Sequence, residues 1–514
     1  MNRNNFFGHA ALAVALVMLA AFVGQMRRMQ SSHDNRETVE RRVVAVADGP
    51  EAPADRAEQF ESDGEVLVRF REGTTEGAVR AITERLNDRL LDRFDYVDGA
   101  AYIAAVADED GLDAERVAAE YRLLPEVEYA EPNAEINLYP PGESSADEAE
   151  LEAEAEAAAE EAAELASAEA RGEVRSGDDD GPPVIMAKGP RPNDPMFDEQ
   201  WSLLNTGQNG GTAGADIRAT LAWAKTTGSR KVVVAVLDTG VDYRHPDLAG
   251  NMWKRPASLA PYADEHRGQI DDRFGFDSAD GDGDPFDDNG HGTHCAGIVG
   301  AEGGNGEGIT GVNWQVEIMP LKFMDAGGRG SIKAAIEAID YVIGRKRAGV
   351  NVRVISASWG GTFSSRALED AIRRAGDEGI IFIAAAGNSR TNNDRLQHYP
   401  SGYQLPNVLA VAALQRRDAL ASFSNYGPKT VHLAAPGAEI LSTWPGNQYE
   451  EHSGTSMATP EVAGVAALVL AADPDMTVAQ LRERLLSSVD KLPALAGKVS
   501  SGGRLNAARA VRAE

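Results

Sequence analysis

The sequence is poor in cysteine and short of basic residues. Its single cysteine, Cys295, excludes a framework of disulfide bonds in this chain of 514 residues. Lys and Arg number 50 against 80 Asp and Glu, which gives a formal net charge of −30. No basic surface is therefore available to neutralise phosphates, and nucleic acid is not expected as a partner. The length and the hydrophobic content of 43% predict a globular chain with two or three folded units.

The first 30 residues have the features of an export signal. An apolar run over residues 10–24 follows Arg3 and precedes Arg27 and Arg28. The run is shorter than the roughly 20 residues that cross a bilayer, but it has the length of a signal-peptide core. We expect export, to the extracellular space or the periplasm. Because the cleavage site is not clean, an N-terminal membrane anchor is the alternative.

Three further segments precede the largest part of the chain. Residues 31–60 are a polar spacer, and residues 61–140 predict a small α+β domain. Its strand patterns are VLVRF, AAYIAAVA and VEYAEPN, and its helical patterns are TEGAVRAITERLNDRL and LDAERVAAEYRLL. Residues 141–190 are rich in Glu and Ala, with 15 acidic residues between 143 and 180. This tract has no apolar stripe to bury, so it predicts a linker.

Residues 191–514 predict a doubly wound α/β domain. Nearly continuous hydrophobic runs are typical of strands in a mostly parallel sheet that is covered on both faces. They occupy residues 231–237, 316–323, 352–358, 380–386 and 408–414. Helical patterns lie between them, for example at 331–347 and 365–378. In such a fold the functional groups gather beyond the carboxyl ends of the strands.

Polar residues follow several of these strand ends. Asp238 comes directly after the first run, Asn388 follows the run at 380–386, His291 lies in DNGHGTHCAG, and Ser456 opens an apolar helical run. The chain order Asp, His, Ser is one of three in which a serine nucleophile, its base and an orienting carboxylate recur, and it differs from that of α/β-hydrolases. Each residue alone fits a helix cap or a core position, but together they predict a catalytic site.

The blocks DTG, HGTHCAG, AAAGN and GTSMATP resemble, in this order, the signature blocks of the subtilisin-like serine proteases, with thermitase-like features. The resemblance implies a secreted serine endopeptidase in which Ser456 attacks, His291 acts as general base and Asp238 orients it. Asn388 and the Ser456 N–H would stabilise the oxyanion. The alternatives are a membrane-anchored processing protease and a non-catalytic binding protein of the same fold. Glu461 stands where the family commonly has histidine, at an early helical turn that favours a carboxylate, and we expect no loss of chemistry.

The resemblance also implies that protein or peptide substrates bind as an extended strand. Two pocket walls and one pairing edge are expected to hold the substrate: Ser358, Trp359 and Gly360; Ala385, Ala386 and Gly387; and the edge Gly328, Arg329 and Gly330. No charged residue can be assigned to the pocket floor, so the side-chain preference is open. Cys295, four residues after His291, is expected to be a buried thiol near the base rather than a nucleophile.

One or two structural Ca²⁺ sites are expected. The acidic, glycine-rich loop before His291 offers hard oxygen ligands and resembles a calcium loop of thermitase-like members. Its candidate ligands are Asp277, Asp280, Asp282 and Asp284. The other site matches the family's strong calcium site. Its candidate ligands are Asp194, Asp247, Asn305 and the carbonyl groups of Gly303, Glu307 and Ile309.

The segment PNDPMFDEQW, at 192–201, resembles the start of the mature domain in this family. Residues 61–140 are therefore expected to be a ferredoxin-like propeptide that assists folding and occupies the cleft until self-cleavage between about Asn137 and Asn193. A retained interaction domain that binds a partner is the rival interpretation.

Overall fold

Two β-sheets with flanking helices organise the described part of the chain. The structure, a computed structural model, describes residues 64–94, 101–138, 189–264 and 267–512. The expected export signal, the polar spacer and nearly all of the acidic tract lie outside these residues. The described residues belong to one compact unit.

The N-terminal domain has a ferredoxin-like topology, as predicted. Its elements are β1 (Glu65–Phe70), α1 (Glu76–Leu86), β2 (Asp88–Phe94), β3 (Tyr102–Asp108), α2 (Ala114–Arg122), β4 (Val127–Pro132) and β5 (Glu135–Asn137). Four strands form an antiparallel sheet in the order β2-β3-β1-β4. The fifth strand leaves this sheet and pairs elsewhere.

The first helix is shorter than the sequence pattern over residues 75–90 predicts. It ends at Leu86 because Asn87 adopts a left-handed conformation, with φ of 60°, and its N–H bonds the carbonyl groups of Thr83 and Glu84. Asparagine is one of the residues that tolerates this conformation at a helix C-terminus. The following residues therefore belong to strand β2, which the pattern missed.

The C-terminal domain is the predicted doubly wound α/β fold. Its helices are α3 (Ala219–Trp223), α4 (His291–Gly300), α5 (Ile332–Arg347), α6 (Arg366–Asp377), α7 (Thr455–Ala472), α8 (Val478–Ser487) and α9 (Ala507–Ala510). Its strands are β6 (Gly228–Asp238), β7 (Tyr262–Asp264), β8 (Gly268–Ile270), β9 (Phe276–Asp277), β10 (Gln315–Lys322), β11 (Arg329–Ser331), β12 (Val352–Ala357), β13 (Ile381–Ala385), β14 (Val408–Leu414), β15 (Leu433–Pro436), β16 (Ile440–Trp444), β17 (Gln448–His452), β18 (Asp490–Lys491) and β19 (Gly503–Arg504).

Nine of these strands form the central sheet, in the order β18-β19-β15-β14-β13-β12-β6-β10-β9. All neighbouring pairs are parallel except β18 and β19. Helix α7 lies in the core on one face. Among the described helices it alone is long and apolar enough to cross a membrane, but 83% of it is buried inside the fold. Parallel strands and buried helices of this kind place the carboxyl ends of β6, β12 and β13 at one edge of the sheet.

The two domains share one hydrophobic core. One face of the N-terminal sheet, including Val66 and Tyr102, packs on α1 and α2. The opposite face, including Leu67, Ile103 and Tyr129, belongs to the same buried cluster as α5 and α6 of the C-terminal domain. The small domain thus uses the large one as the cover for its second face.

Candidate active site

The first pair of predicted catalytic residues is in contact. Asp238 ends β6 and His291 begins α4, and His291 Nδ1 lies 2.7 Å from Asp238 Oδ1. Asp238 is fully buried, and the Thr239 N–H also donates to its Oδ1 at 2.8 Å. Burial disfavours a charged imidazole, but the Asp238 carboxylate outweighs this and raises the pKa of His291 well above its usual value. The Asp238 carboxylate therefore stabilises the imidazolium that forms when His291 takes up a proton.

Ser456 lies in the first turn of α7, beside this pair. Its hydroxyl donates to the carbonyl oxygen of Ser358 at 2.9 Å, and no hydrogen bond joins it to His291 in the described part of the chain. The thiol of Cys295 contacts both residues, with Sγ 4.0 Å from His291 Nδ1 and 3.6 Å from the Ser456 carbonyl oxygen. Burial raises the pKa of Cys295, so the thiol is protonated and a poor nucleophile.

Two hydrogen-bond donors face one small space beside Ser456. Asn388 Oδ1 accepts from the N–H and the hydroxyl of Thr455, both at 2.9 Å, which leaves the Nδ2 group free to donate elsewhere. A Cβ built on Gly454 would lie 3.3 Å from Asn388 Nδ2 and 3.5 Å from the Ser456 nitrogen. The absence of a side chain at Gly454 therefore keeps open a space that both donors can reach, at the positive end of α7.

The other two hydroxyls of the SGTS segment have local partners. The Ser453 hydroxyl accepts from the Glu439 N–H at 2.9 Å. The Thr455 hydroxyl accepts from the Gly387 N–H at 3.1 Å while it donates to Asn388. Both residues hold the loops around Ser456, and neither lies free for chemistry.

The predicted pocket walls follow β12 and β13, beside Ser456. The Ser358 hydroxyl donates to the Ser456 carbonyl at 2.8 Å, and the Trp359 indole donates to the Leu237 carbonyl at 2.9 Å. On the other wall, the Ala386 carbonyl accepts from the side-chain amides of Asn393 and Asn425. Both walls are therefore anchored to the core around the catalytic residues.

The predicted substrate edge is occupied by the chain itself. Strand β5 pairs antiparallel with β11, with Arg329 opposite Asn137 and Gly330 opposite Ile136. The pairing continues with the Leu138 N–H, which donates to the Gly328 carbonyl at 2.9 Å. The N-terminal domain thus extends a strand along the edge that was expected to bind substrate. Sequence reasoning missed β5 because a strand of three residues leaves almost no periodic signal.

Two N-terminal residues cap helices of the C-terminal domain. The Glu131 carboxylate accepts from the Ser365 hydroxyl at 2.5 Å and from the N–H groups of Arg366 and Ala367, both at 3.0 Å, at the start of α6. Asn133 Oδ1 accepts from the Lys333 N–H at 2.8 Å, at the start of α5. A carboxylate at a helix N-terminus is favoured by the unpaired N–H groups and by the helix dipole.

The candidate calcium ligands Asp194 and Asp247 both accept hydrogen bonds from the segment 304–309. Asp194 accepts from three backbone N–H groups of the loop 304–306 at distances of 2.8–3.2 Å. Asp247 accepts from the side chain of Asn305 at 2.7 Å and from the Ile309 N–H at 2.9 Å. Burial raises the pKa of Asp194 and of Asp247. Among the described residues, none donates a hydrogen bond to the carbonyl oxygens of Gly303, Glu307 and Ile309. Two buried carboxylates beside unpaired carbonyl oxygens suit a hard cation.

The acidic loop before His291, the other candidate calcium site, makes different contacts. Asp277 accepts from the N–H groups of Ala279 and Asp280, and Asp282 accepts from that of Asp284. The carboxylate of Asp284 accepts from the Tyr243 hydroxyl at 2.6 Å. Within the described ranges no three of these carboxylates bring oxygens within 4.8 Å of one another.

Glu461 differs from the sequence expectation. It is 1% exposed in the middle of α7, and its Oε2 has no hydrogen-bond partner in the described structure. Burial raises its pKa to about 8, so the carboxyl group is mostly neutral at pH 7. The helix start at Thr455 is too far away for its dipole to favour an ionised form, because the effect is confined to the first turn.

Asp238 and His291 form a buried pair, and Ser456 on α7 lies beside it with two hydrogen-bond donors. This arrangement, at the carboxyl edge of a doubly wound sheet, is typical of a serine hydrolase. The Subtilase family profile matches residues 229–504, more than half of the chain, and the profile described as the Fervidolysin N-terminal prodomain matches residues 52–133. The chain belongs to the subtilase family of serine proteases and carries a prodomain.

Individual relatives agree with this assignment. The chain is 37% identical over 317 residues to the Thermophilic serine proteinase of Bacillus sp. (strain AK1). The alignment covers 62% of this chain and 71% of that protein. It is 36% identical over 321 residues to Thermitase of Thermoactinomyces vulgaris, and this alignment covers 62% of this chain and 99% of that protein. Among solved structures, a protease from Pseudoalteromonas arctica matches with a TM-score of 0.52 and 31% identity, covering 63% of this chain and 99% of that chain.

Proposed function

We propose that the protein is a secreted endopeptidase that is made as a zymogen, cuts itself, and hydrolyses peptide bonds with Asp238, His291 and Ser456. The observation that carries the proposal is the pairing of β5 with β11, because an extended segment of the prodomain lies along the edge that is expected to pair with substrate. A non-catalytic binding protein is disfavoured, since none of the catalytic residues is missing.

The proposed reaction starts with a rotation of the Ser456 hydroxyl away from the Ser358 carbonyl. Its oxygen then bonds to the peptide carbonyl carbon while its proton passes to Nε2 of neutral His291, and the carbonyl electron pair moves onto the oxygen. Because the pKa of His291 is raised, this step requires a pH at which the imidazole is deprotonated. Asn388 Nδ2 and the Ser456 N–H stabilise that oxyanion. His291 returns the proton to the departing amine, which leaves an acyl-enzyme. Water then attacks the acyl group by the same route and releases a carboxylic acid.

The prodomain acts as an inhibitor in this proposal. It covers the substrate edge with residues 135–138 and holds α5 and α6 through Asn133 and Glu131. Substrate cannot pair with β11 until that strand leaves. Self-cleavage is expected between about Asn137 and Asn193, with the Tyr139–Pro140 bond disfavoured because a proline after the scissile bond obstructs attack.

A comparison of the wild type with Ser456→Ala tests the function. Both proteins are expressed in full, their N-termini are sequenced, and casein cleavage is measured beside circular dichroism. We expect the wild type to begin within the stated window and to cleave casein, and the folded variant to stay uncut there and inactive. Casein cleavage by the variant at a rate close to wild type would refute the catalytic assignment.

Calcium is proposed as a structural ion at the site of Asp194, Asp247 and Asn305, where it would supply charge compensation for the buried carboxylates. Ligands that bind only the folded state raise stability by mass action. We expect EDTA to lower the melting temperature of the wild type, and Asp247→Asn to reduce that response. An EDTA response that is unchanged in Asp247→Asn and lost in Asp282→Asn would move the ion to the second loop.

Export is proposed from the apolar run at 10–24 alone, which lies outside the described residues. Cell fractionation distinguishes the two forms, since a released protease appears in the medium or the periplasm. A membrane-anchored processing protease would remain with the membrane fraction after washing with high salt.

A further inference from the structure

The ammonium group of Lys322 lies buried where three segments of the candidate active site meet. Lys322 ends β10, next to the last residue of β6, and is 4% exposed. Its Nζ donates to the carbonyl groups of Thr239 and Met324, at 3.0 and 2.8 Å, and to the carboxylate of Asp288 at 2.6 Å. A lysine ammonium has three N–H groups, so these contacts use all of its donors.

Two of these partners lie in the segments that carry the Asp238–His291 pair. Thr239 directly follows Asp238, and its N–H donates to the Asp238 carboxylate at 2.8 Å. The carbonyl group of the same residue accepts from Lys322. Asp288 lies three residues before His291. Lys322 therefore holds the turn after the orienting carboxylate and the loop before the general base at one point.

The third partner anchors the substrate edge. Met324 forms an isolated β-bridge with Gly330, which closes the hairpin 324–330 at its base. Gly330 belongs to β11, the strand that pairs with β5 of the prodomain. The hairpin is thus bonded, through the Met324 carbonyl, to the same ammonium as the turn after Asp238. A peptide that replaces β5 would pair with a strand that Lys322 holds in place.

Asn289 forms a second tie between the same two parts. Its Nδ2 donates to the carbonyl of Ala326, in the hairpin, at 3.0 Å. Its Oδ1 accepts from the N–H of His291 at 3.1 Å. The substrate edge is therefore joined to the Asp238 side of the pair through Lys322 and to the His291 side through Asn289. A shift of the edge relative to the pair breaks at least one of these bonds.

Stability alone does not account for this buried ammonium. A charge is costly to take out of water, and apolar side chains in place of a buried ion pair are often neutral or stabilising. Asp288 compensates the charge of Lys322, but its side chain is 52% exposed. The two carbonyl contacts are what the ammonium adds to that ion pair, because a compact cation with three donors can bond groups in three directions.

We propose that Lys322 is a positioning residue through which peptide pairing at β11 fixes the geometry of the Asp238–His291 pair, an inference that rests on the proposed protease function. Binding energy from parts of a substrate away from the scissile bond raises kcat when it is used to orient the reacting groups. Lys322 carries that orientation through Met324 and Thr239. Long peptides, which pair with the edge, should therefore depend on Lys322 more than short ones.

Two p-nitroanilide substrates with alanine before the scissile bond test the proposal. One is succinyl-tetraalanine, which can pair with β11, and the other is acetyl-alanine, which is too short to do so. We expect Lys322→Met to lower kcat for the long substrate by about 100-fold, the cost of a misplacement of about 1 Å. The short substrate should lose less than about tenfold, so that the ratio of the two kcat/KM values falls by about tenfold. A loss in kcat rather than a rise in KM identifies orientation as the cause.

Lys231→Met is the matched control. Lys231 is an exposed lysine near the other end of β6, and its substitution should leave the length ratio at the wild-type value. Titration with an irreversible serine reagent counts the folded active sites, so that a poorly folding variant does not distort the ratios. Asn289→Ala interrupts the second tie and should lower the length ratio by about threefold, even if Lys322→Met yields no folded enzyme.

A length ratio in Lys322→Met equal to that of the wild type would overturn the inference. An equal fall in Lys231→Met would do the same, as would a wild type that cleaves both substrates with the same kcat/KM. If Lys322→Met does not fold, an unchanged ratio in Asn289→Ala overturns it. The proposed function fails separately, if the wild type cleaves neither the peptides nor casein or if Ser456→Ala cleaves them equally well.

Discussion

The two domains bury their sheets in different ways. The central sheet of the C-terminal domain has its own helices on both faces, whereas the four-stranded sheet of the prodomain has helices on one face only. Its second face also has an apolar centre, since Leu67, Ile103 and Ala105 are completely buried against the larger domain. An unbroken apolar strand in a small unit therefore indicates a partner surface and not only an internal core.

Separation of the two domains is the most drastic test of this difference. A fragment of residues 62–140 exposes the face that includes Leu67 and Ile103, and a domain of this size has little core to spare. We expect the isolated fragment to show no cooperative thermal unfolding by circular dichroism. Addition of the mature Ser456→Ala domain should restore it. A cooperative transition of the fragment alone would mean that its second face is not needed for folding.

Loss of the cap on α6 weakens the contact between the domains. Glu131→Ala removes a carboxylate that accepts three hydrogen bonds there. We expect prodomain affinity for the mature domain to fall by about 100-fold, from about 2–3 kcal/mol of charge-assisted hydrogen bonding. The measurement is the inhibition constant of the prodomain added in trans. Glu128→Ala is the matched control, because its ion pair with Arg366 is exposed and should change the constant by less than about threefold.

The contact between the prodomain and the larger domain should also depend on pH. Burial and the neighbouring Glu337 carboxyl group raise the pKa of Asp92 to about 8, while Lys333 opposes the shift. Because the pKa of Asp92 is raised in the complex, binding of the prodomain takes up a proton. The contribution of Asp92 to prodomain affinity is therefore complete below its free pKa of 3.8 and is lost as the pH rises through about 8.

The inhibition constant should therefore rise with pH by about tenfold per unit between pH 5 and 8. Glu65, whose pKa is raised by burial in the same cluster, acts in the same direction. In Asp92→Asn the slope should be reduced, with tighter inhibition than wild type at pH 9. An identical slope in the variant would exclude Asp92 as its source.

Glu461 is a buried carboxyl group like Asp92, but it lies inside the larger domain. Its ionisation should therefore change the stability of that domain and not the affinity of the prodomain. The pKa of Glu461 is raised to about 8 by burial, so its contribution to stability is complete below 4.5 and declines as the pH rises through about 8. Glu461→Gln keeps the shape without the ionisation. We expect its melting temperature to match wild type at pH 4.5 and to exceed it by a few degrees at pH 9. A variant less stable than wild type at pH 9 would contradict this assignment.

The sequence predicted the sheet and the family well because both are encoded locally. The strands at 231–237 and 408–414 are unbroken apolar runs, and the structure has them as β6 and β14. Asp238 and Ser456 lie in short blocks with a fixed order, and the structure brings both close to Cys295 and His291. The fold class and the family were predicted correctly.

The features that the sequence did not predict depend on contacts between distant parts of the chain. Glu131 looks like an ordinary surface residue until the fold brings it to Ser365, 234 positions later. Glu461 was expected to be a carboxylate favoured by the start of the helix, and only the surrounding core makes it neutral. In the acidic loop, the contact of Asp284 with Tyr243 depends on a neighbouring segment. No local pattern carries this information.

The helices α5 and α6 have to function in two environments during the life of one molecule. Their apolar groups lie against the prodomain at first and meet water once it leaves. Substitutions that make this surface more polar would weaken the folding aid, and substitutions that make it more apolar would favour adsorption and self-association of the mature enzyme. Selection on these helices is therefore a compromise between assembly and colloidal stability. Residues 191–514 contain 32 basic and 38 acidic residues, a net charge of −6, so mutual repulsion opposes this self-association only weakly.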